Sequence, residues 1–271
     1  MRLRRIPSRQ EFFAGLLFLA CLNGLMSRIV DEVARLGLAF AVFGTLGVSV
    51  IVWISLCAGI ALILQSAPED MKWLDLVVAI PCLLLIALPY SPLSWIALGA
   101  LSAYIFAMSD AALTRQGAII LLAASVPMFW SRLLFKMFST TILSADAILV
   151  SWMLGTTREG NVVEFADKSG HLVVLAPCSS LANVSLAILC WITVTRLVNH
   201  EQSKYDVFWF LSACMSVIFI NTVRMALMGM SEPFYNTLHS DIWSVVLSLL
   251  ISTVIITICL LGVRRELFVR I

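Results

Sequence analysis

Apolar residues run along this chain in eight long stretches: 12–30, 38–64, 73–89, 93–108, 117–132, 179–198, 207–229 and 240–263. A helix needs about 20 such residues to cross the hydrocarbon of a bilayer. The pattern therefore predicts about eight transmembrane helices, joined mostly by short connections. The exception is residues 133–177. Within it, 141–154 repeats apolar residues at Ile142/Leu149 and Leu143/Val150, with Ser144, Asp146 and Ser151 between. That spacing predicts an amphipathic helix lying along the membrane surface. Gly155 and Gly160 break it. The β-branched runs 161–166 and 171–176, joined by Asp167-Lys168-Ser169-Gly170, predict a small β-hairpin. The expected fold class is an all-α integral membrane protein. Residues 1–271 form one polytopic domain, and 133–177 form an extracytoplasmic insert before the sixth span.

Composition agrees with this reading. Of 271 residues, 61% are hydrophobic and 13% charged, against about 45–50% and 25% in soluble domains. So many apolar side chains do not fit inside one soluble core, which excludes a soluble enzyme, a disordered tail and a disulfide-stapled module. The net charge of +2, with no basic face interleaved with aromatics, gives no sign of nucleic-acid binding.

Orientation follows from where the cations fall. With the N-terminus inside, the inner loops hold Arg2, Arg4, Arg5, Arg9, Lys72, Arg115, Arg196, Lys204, Arg264, Arg265 and Arg270. The outer side holds Arg28, Arg35, Arg132, Lys136, Arg158, Lys168 and Arg224. This bias predicts both termini in the cytoplasm and an uncleaved first span.

Polar residues inside or beside a span are costly in lipid and mark function. Arg224 stands in an otherwise uncharged run, about 26 Å of helix rise beyond Val207 and so near the outer end of its span. Asn221 shares its helix face. His239 opens the last stretch and is followed by Asp241. Cys178 sits at a polar boundary, whereas the other six cysteines lie within apolar runs. After Pro177, a helix start would present free N–H groups that favour a thiolate. Taken singly, these residues also fit a snorkelling arginine, an interfacial histidine and an ordinary interfacial cysteine. Together they come from three segments and fall at one depth on the outer face. A thiol needs a base such as histidine to take its proton, and an arginine stabilises the oxyanion of acyl transfer. His171 is a rival base, and Glu164 faces substrate or water. Asp75 and Asp110 fall at inner span ends, where solvation is expected. Asn183 and Ser185 are expected to pack between helices. No metal or cofactor is expected, since paired histidines, Cys-x-x-Cys and phosphate-loop motifs are missing.

At these residues the chain resembles the exosortases and archaeosortases, multi-pass membrane proteins of bacteria and archaea. Ala176-Pro177-Cys178-Ser179-Ser180-Leu181 resembles that family's Cys block, Asn221-Thr222-Val223-Arg224-Met225 its Asn-x-x-Arg block, and His239 its His block. The specific motifs cover about the last hundred residues. Ser180 stands where the family commonly has glycine, and a glycine often found after the histidine is replaced within Ile242-Trp243-Ser244-Val245. The resemblance implies a thiol protease/transpeptidase (a hydrolase-class cysteine peptidase) of protein sorting in the cell inner membrane. Its catalytic residues would be Cys178 as nucleophile, His239 as acid/base and Arg224 as oxyanion or substrate stabiliser. Asn221, Ser179 and Asp241 would be supporting residues. Its implied partners are exported proteins with a C-terminal Pro-Glu-Pro-like motif, a transmembrane helix and a basic tail, cut on the periplasmic or exterior face. A small-solute transporter, or a scaffold subunit of an envelope polysaccharide assembly system, is the alternative. The substrate motif, the acceptor nucleophile and the oligomeric state are not written in the sequence.

Overall fold

The long apolar stretches fold as helices in the computed structural model, which describes residues 8–264. Of the cations that set the expected orientation, Arg2, Arg4, Arg5, Arg265 and Arg270 lie outside the described residues. In chain order the helices are α1 (Arg9–Leu36), α2 (Leu38–Phe43), α3 (Val50–Gln65), α4 (Trp73–Ala87), α5 (Ser91–Met108) and α6 (Ala112–Ser125), then α7 (Ser131–Leu154), α8 (Ser180–Leu197), α9 (Asp206–Met228), α10 (Glu232–Leu238) and α11 (Asp241–Gly262). Six helical stretches among the described residues are long and apolar enough to cross a membrane: Arg9–Leu36, Ser91–Met108, Ala112–Leu154, Ser180–Leu197, Asp206–Met228 and Asp241–Gly262. Val50–Gln65 and Trp73–Ala87 are apolar but shorter. The chain is thus a multi-pass, mainly helical membrane protein. Of the eight expected crossings, six have helices of spanning length and two are matched by these shorter helices.

Two differences from expectation have local causes. The apolar run 38–64 is not one helix. It breaks after Phe43 into a tight turn in which Thr45, Leu46 and Gly47 all take positive φ, and α3 restarts after Ser49. Nor is 141–154 a separate surface helix. Ala112–Leu154 is one helical stretch of 43 residues, widened to a π turn at Val126–Trp130 around Pro127 and bent at Phe138. Proline withholds a backbone donor, and a π turn is one way a helix absorbs that. No glycine or second proline follows until Gly155, so the helix runs on.

The described residues form two compact units. One takes in the described residues up to Phe129 with Ile192–His200; the other takes in Trp130–Trp191 with the described residues from Glu201 onward. In the first, α3 packs on α6, and α5 packs on α1, α4 and α6. The α3–α6 approach needs glycine on both sides. A Cβ on Gly117 would stand 2.5 Å from the Gly59 carbonyl oxygen, and one on Gly59 would stand 2.6 Å from Leu121. Asn23 holds the frayed end of α4 by donating to the carbonyls of Ile86 (2.8 Å) and Leu88 (2.9 Å). Asp75, expected to be solvated, is instead fully buried. Its carboxylate accepts from Arg9 Nε (3.0 Å to each oxygen), Tyr104 Oη (2.8 Å) and the Lys72 N–H (2.7 Å). A pairing across 66 positions is invisible to local pattern.

In the second unit α9 packs against α7, α10 and α11. The expected hairpin is present as β2 (Val162–Glu164) antiparallel to β3 (His171–Val173), with Val163 opposite Leu172. A further strand, β1 (Arg158–Glu159), pairs with β2. Val163 and Leu172 are buried while their neighbours along each strand are not, the period of two expected for a sheet with one buried face. The hairpin turn is tied to the end of α9 by the Ala166 N–H donating to the Gly229 carbonyl (2.9 Å).

Candidate functional site

Cys178 closes a 3-10 turn, Ala176–Cys178, between β3 and α8. Its N–H donates to the Leu175 carbonyl at 2.8 Å. Ser179 follows in extended conformation and caps α8, its Oγ accepting from the Leu181 N–H (3.2 Å). The Ser180 N–H donates to the Asp146 carboxylate (3.1 Å) from α7. The α8 amides expected to favour a thiolate are therefore engaged in part by Ser179 and Asp146. Ser180 occupies the first residue of α8 without positive φ, so a glycine's backbone freedom is not needed there.

Asn221, buried on α9, binds this turn directly. Its Nδ2 donates to the Cys178 carbonyl at 2.7 Å and to Ser180 Oγ at 3.1 Å. Ser180 thus supplies a side-chain acceptor that a glycine would lack. Asn221 makes no hydrogen bond to Arg224, one turn further along α9. Arg224 is half-buried and has no hydrogen-bond or ion-pair partner among the described residues.

Cys178 is buried, at 7% exposure, in an apolar cluster with Val150, Val174, Met225 and Met228; Tyr235 and Leu238 pack against it. Met225 follows Arg224, and Leu238 precedes His239. The cluster thus brings Cys178 together with the sequence neighbours of Arg224 and His239. His239 does not open the last span. Residues 231–238, expected as a loop, contain α10, whose Tyr235 and Leu238 lie three apart on the face toward the cluster. His239 caps α10 with its N–H on the Tyr235 carbonyl (2.9 Å). Its exposed ring stacks on Tyr235, centroids 5.2 Å apart and planes 10° from parallel. Asp241 begins α11, where a carboxylate suits the positive end of the helix dipole. His171 is exposed on β3 opposite Glu164, whose carboxylate accepts from Thr157 Oγ1 (2.8 Å). Ser185 donates to Ala182 within its own helix (2.6 Å). No hydrogen bond joins the thiol, the imidazole and the guanidinium to one another among the described residues.

Two contributors escaped the sequence reading. Asp146 looked like the polar face of a surface helix, yet it is buried and caps α8. Tyr235 lay in what read as a loop, and a Tyr-x-x-Leu pair after Pro233 was the available signal. No three His, Cys, Asp or Glu side chains among the described residues are grouped as a metal site needs.

Fold and site together define a multi-pass membrane protein with a cysteine-bearing turn clamped by a buried asparagine. No family model, curated protein or solved structure matches the chain.

Proposed function

We propose that this chain is an exosortase-like membrane cysteine peptidase or transpeptidase. The observation that carries the reading is the Asn221–Cys178 hydrogen bond of 2.7 Å. It joins two of the three motifs on which the family resemblance rests, the Cys block and the Asn-x-x-Arg block, and it holds the nucleophile's own backbone. The shared cluster of Cys178, Met225, Tyr235 and Leu238 supports bringing Arg224 and His239 to the same turn.

In this mechanism substrate enters from the outer face, both termini being cytoplasmic, and displaces the apolar cover of the thiol. The ring of His239 swings off Tyr235 and takes the thiol proton. Cys178 Sγ attacks the scissile carbonyl, and the oxygen that gains the negative charge faces Arg224. Collapse breaks the C–N bond, and the amine leaves with the proton held by His239. The remaining thioester is opened by water or by an acceptor nucleophile, whose proton returns through His239 to the thiolate. Hydrogen-bond geometry in a substrate-free active site tightens only when substrate is bound, which fits a thiol and imidazole not yet bonded. Substrates are exported proteins with a C-terminal motif, a membrane helix and a basic tail.

The test is co-expression with such a substrate. Cys178→Ala, Arg224→Ala and His239→Ala each stop processing while the protein still inserts in the membrane. Unchanged processing by Cys178→Ala sinks the assignment. Transport activity indifferent to thiol alkylation favours the transporter reading instead.

A further inference from the structure

A small cavity in the first unit is lined by Arg9, Gln10, Phe13, Ile63, Ile105 and Thr114. Three of these residues are almost fully buried and polar: Arg9 at 2% exposure, Gln10 at 4% and Thr114 at 3%. Each has one buried atom without a hydrogen-bond partner, namely Arg9 Nη2, Gln10 Nε2 and Thr114 Oγ1. The rest of each polar group is engaged or fixed. Arg9 Nε binds Asp75, and Nη1 binds Glu69 Oε2 at 2.7 Å. Gln10 Oε1 accepts from the Glu69 N–H at 2.8 Å, which fixes the amide so that its NH2 is the group left over. Buried donors are rarely left unmet, because each one stranded has lost its hydrogen bonds to water without replacement.

We infer that this cavity is a binding site for one water molecule, which bridges Arg9 Nη2, Gln10 Nε2 and Thr114 Oγ1. Size and charge select the ligand. The cavity has a free volume of about 10 Å³, close to the least that admits one water, roughly 10–15 Å³. A cation is repelled, since Arg9 and Gln10 present only N–H groups. An anion is disfavoured, since the Arg9 charge is already outnumbered by the Asp75 and Glu69 carboxylates bound to it. Water accepts from both nitrogens and donates to the threonine hydroxyl, so all three orphans are met at once. It completes a polar cluster that ties the starts of α1, α4 and α6 to the Glu69 loop and to Ser109 after α5, whose Oγ donates to Glu69 Oε1 (3.0 Å).

The experiment uses the full chain in detergent, with its structure determined at a resolution that shows ordered water, once in sodium bromide and once in potassium gluconate. A single peak within hydrogen-bond reach of the three atoms in both salts, without a bromide signal, is expected. An empty cavity, or a bromide peak, overturns the inference. A second measurement does not depend on density. Thr114→Val lowers Tm by about 2–4 °C, and Thr114→Ser, which keeps the hydroxyl, restores it. An unchanged Tm in Thr114→Val overturns the bridging role.

Discussion

Arg9 and Arg224 are both arginines in apolar helices, and the protein treats them in opposite ways. Arg9 is buried and committed: two carboxylates take its Nε and Nη1, and the Phe13 and Tyr104 rings lie within 6 Å of its guanidinium at 5.6 and 5.9 Å. Arg224 is half-buried and holds no carboxylate among the described residues. A charge set in an apolar surround is costly unless it is paired or doing chemistry. Arg9 meets the first condition and therefore reads as architecture. Arg224 does not, which under the proposed function makes the second unit the place for chemistry. Under the proposed function a mutation should separate the two regions: the first loses stability, the second loses activity.

The largest expected effect is at Cys178. Under the proposed function, Cys178→Ala removes the nucleophile and lowers substrate processing at least about 1,000-fold, measured by the ratio of cut to uncut substrate. Its Tm stays near that of the parent, because alanine still fits an apolar cluster. The counterpart in the first unit is Asp75→Ala. Breaking a buried ion pair while leaving its partner charged costs about 3–5 kcal/mol, seen as a lower Tm and reduced yield in membranes. The double replacement Arg9→Met with Asp75→Leu recovers much of that loss, since a buried pair exchanged for apolar packing is often neutral or better. If Asp75→Ala spared stability and abolished processing, the contrast between the regions would collapse.

How much of this could be read beforehand depended on the range of the interaction. Apolar length is written locally, so the stretches later folded as α5, α8, α9 and α11 were visible to within two residues at each end, whereas α1 runs six residues past its expected end, through the charged turn that contains Asp31, Glu32 and Arg35. The hairpin was visible too, because Asp167-Lys168-Ser169-Gly170 between β-branched runs is a local turn signal. Asp75 was misread because its partner lies 66 positions away. Asp146 was misread for the same reason: its role depends on Ser180, 34 positions on. Among the candidate residues, the types and order were legible. That Asn221 would bind the Cys178 backbone and not Arg224 was not legible, because spacing on one helix says nothing about the neighbouring turn.

Asn221 sits between the two behaviours, and its substitution sharpens the comparison. Asn221→Ala leaves the Cys178 carbonyl buried without its donor, at a cost of about 1–3 kcal/mol. Under the proposed function the lost bond also loosens the turn that carries the nucleophile, so processing falls by roughly 10–100-fold as well. A fall in stability with no change in processing would make Asn221 a packing residue like Asn23.

The smallest effect lies in the hairpin, outside both the ion network and the cysteine turn. Asp167 is exposed, and its carboxylate accepts from Ser169 Oγ (2.6 Å) and the Ser169 N–H (2.9 Å). These bonds favour the charged form, so its pKa is held below the usual carboxylate range. A group whose folded pKa is depressed contributes stability above its unfolded value, about 3.9, and loses it as pH falls through the folded one. Hydrogen exchange at the Ser169 amide should therefore show constant protection once scaled for intrinsic rate from neutral pH down to about 5, and weaker protection below about 4. Asp167→Asn keeps an acceptor for Ser169 and removes the titration, so its protection stays flat across that range. An Asp167 turn equally insensitive to acid would mean that the Ser169 bonds are incidental to the hairpin, and that β2–β3 pairing alone sets its geometry.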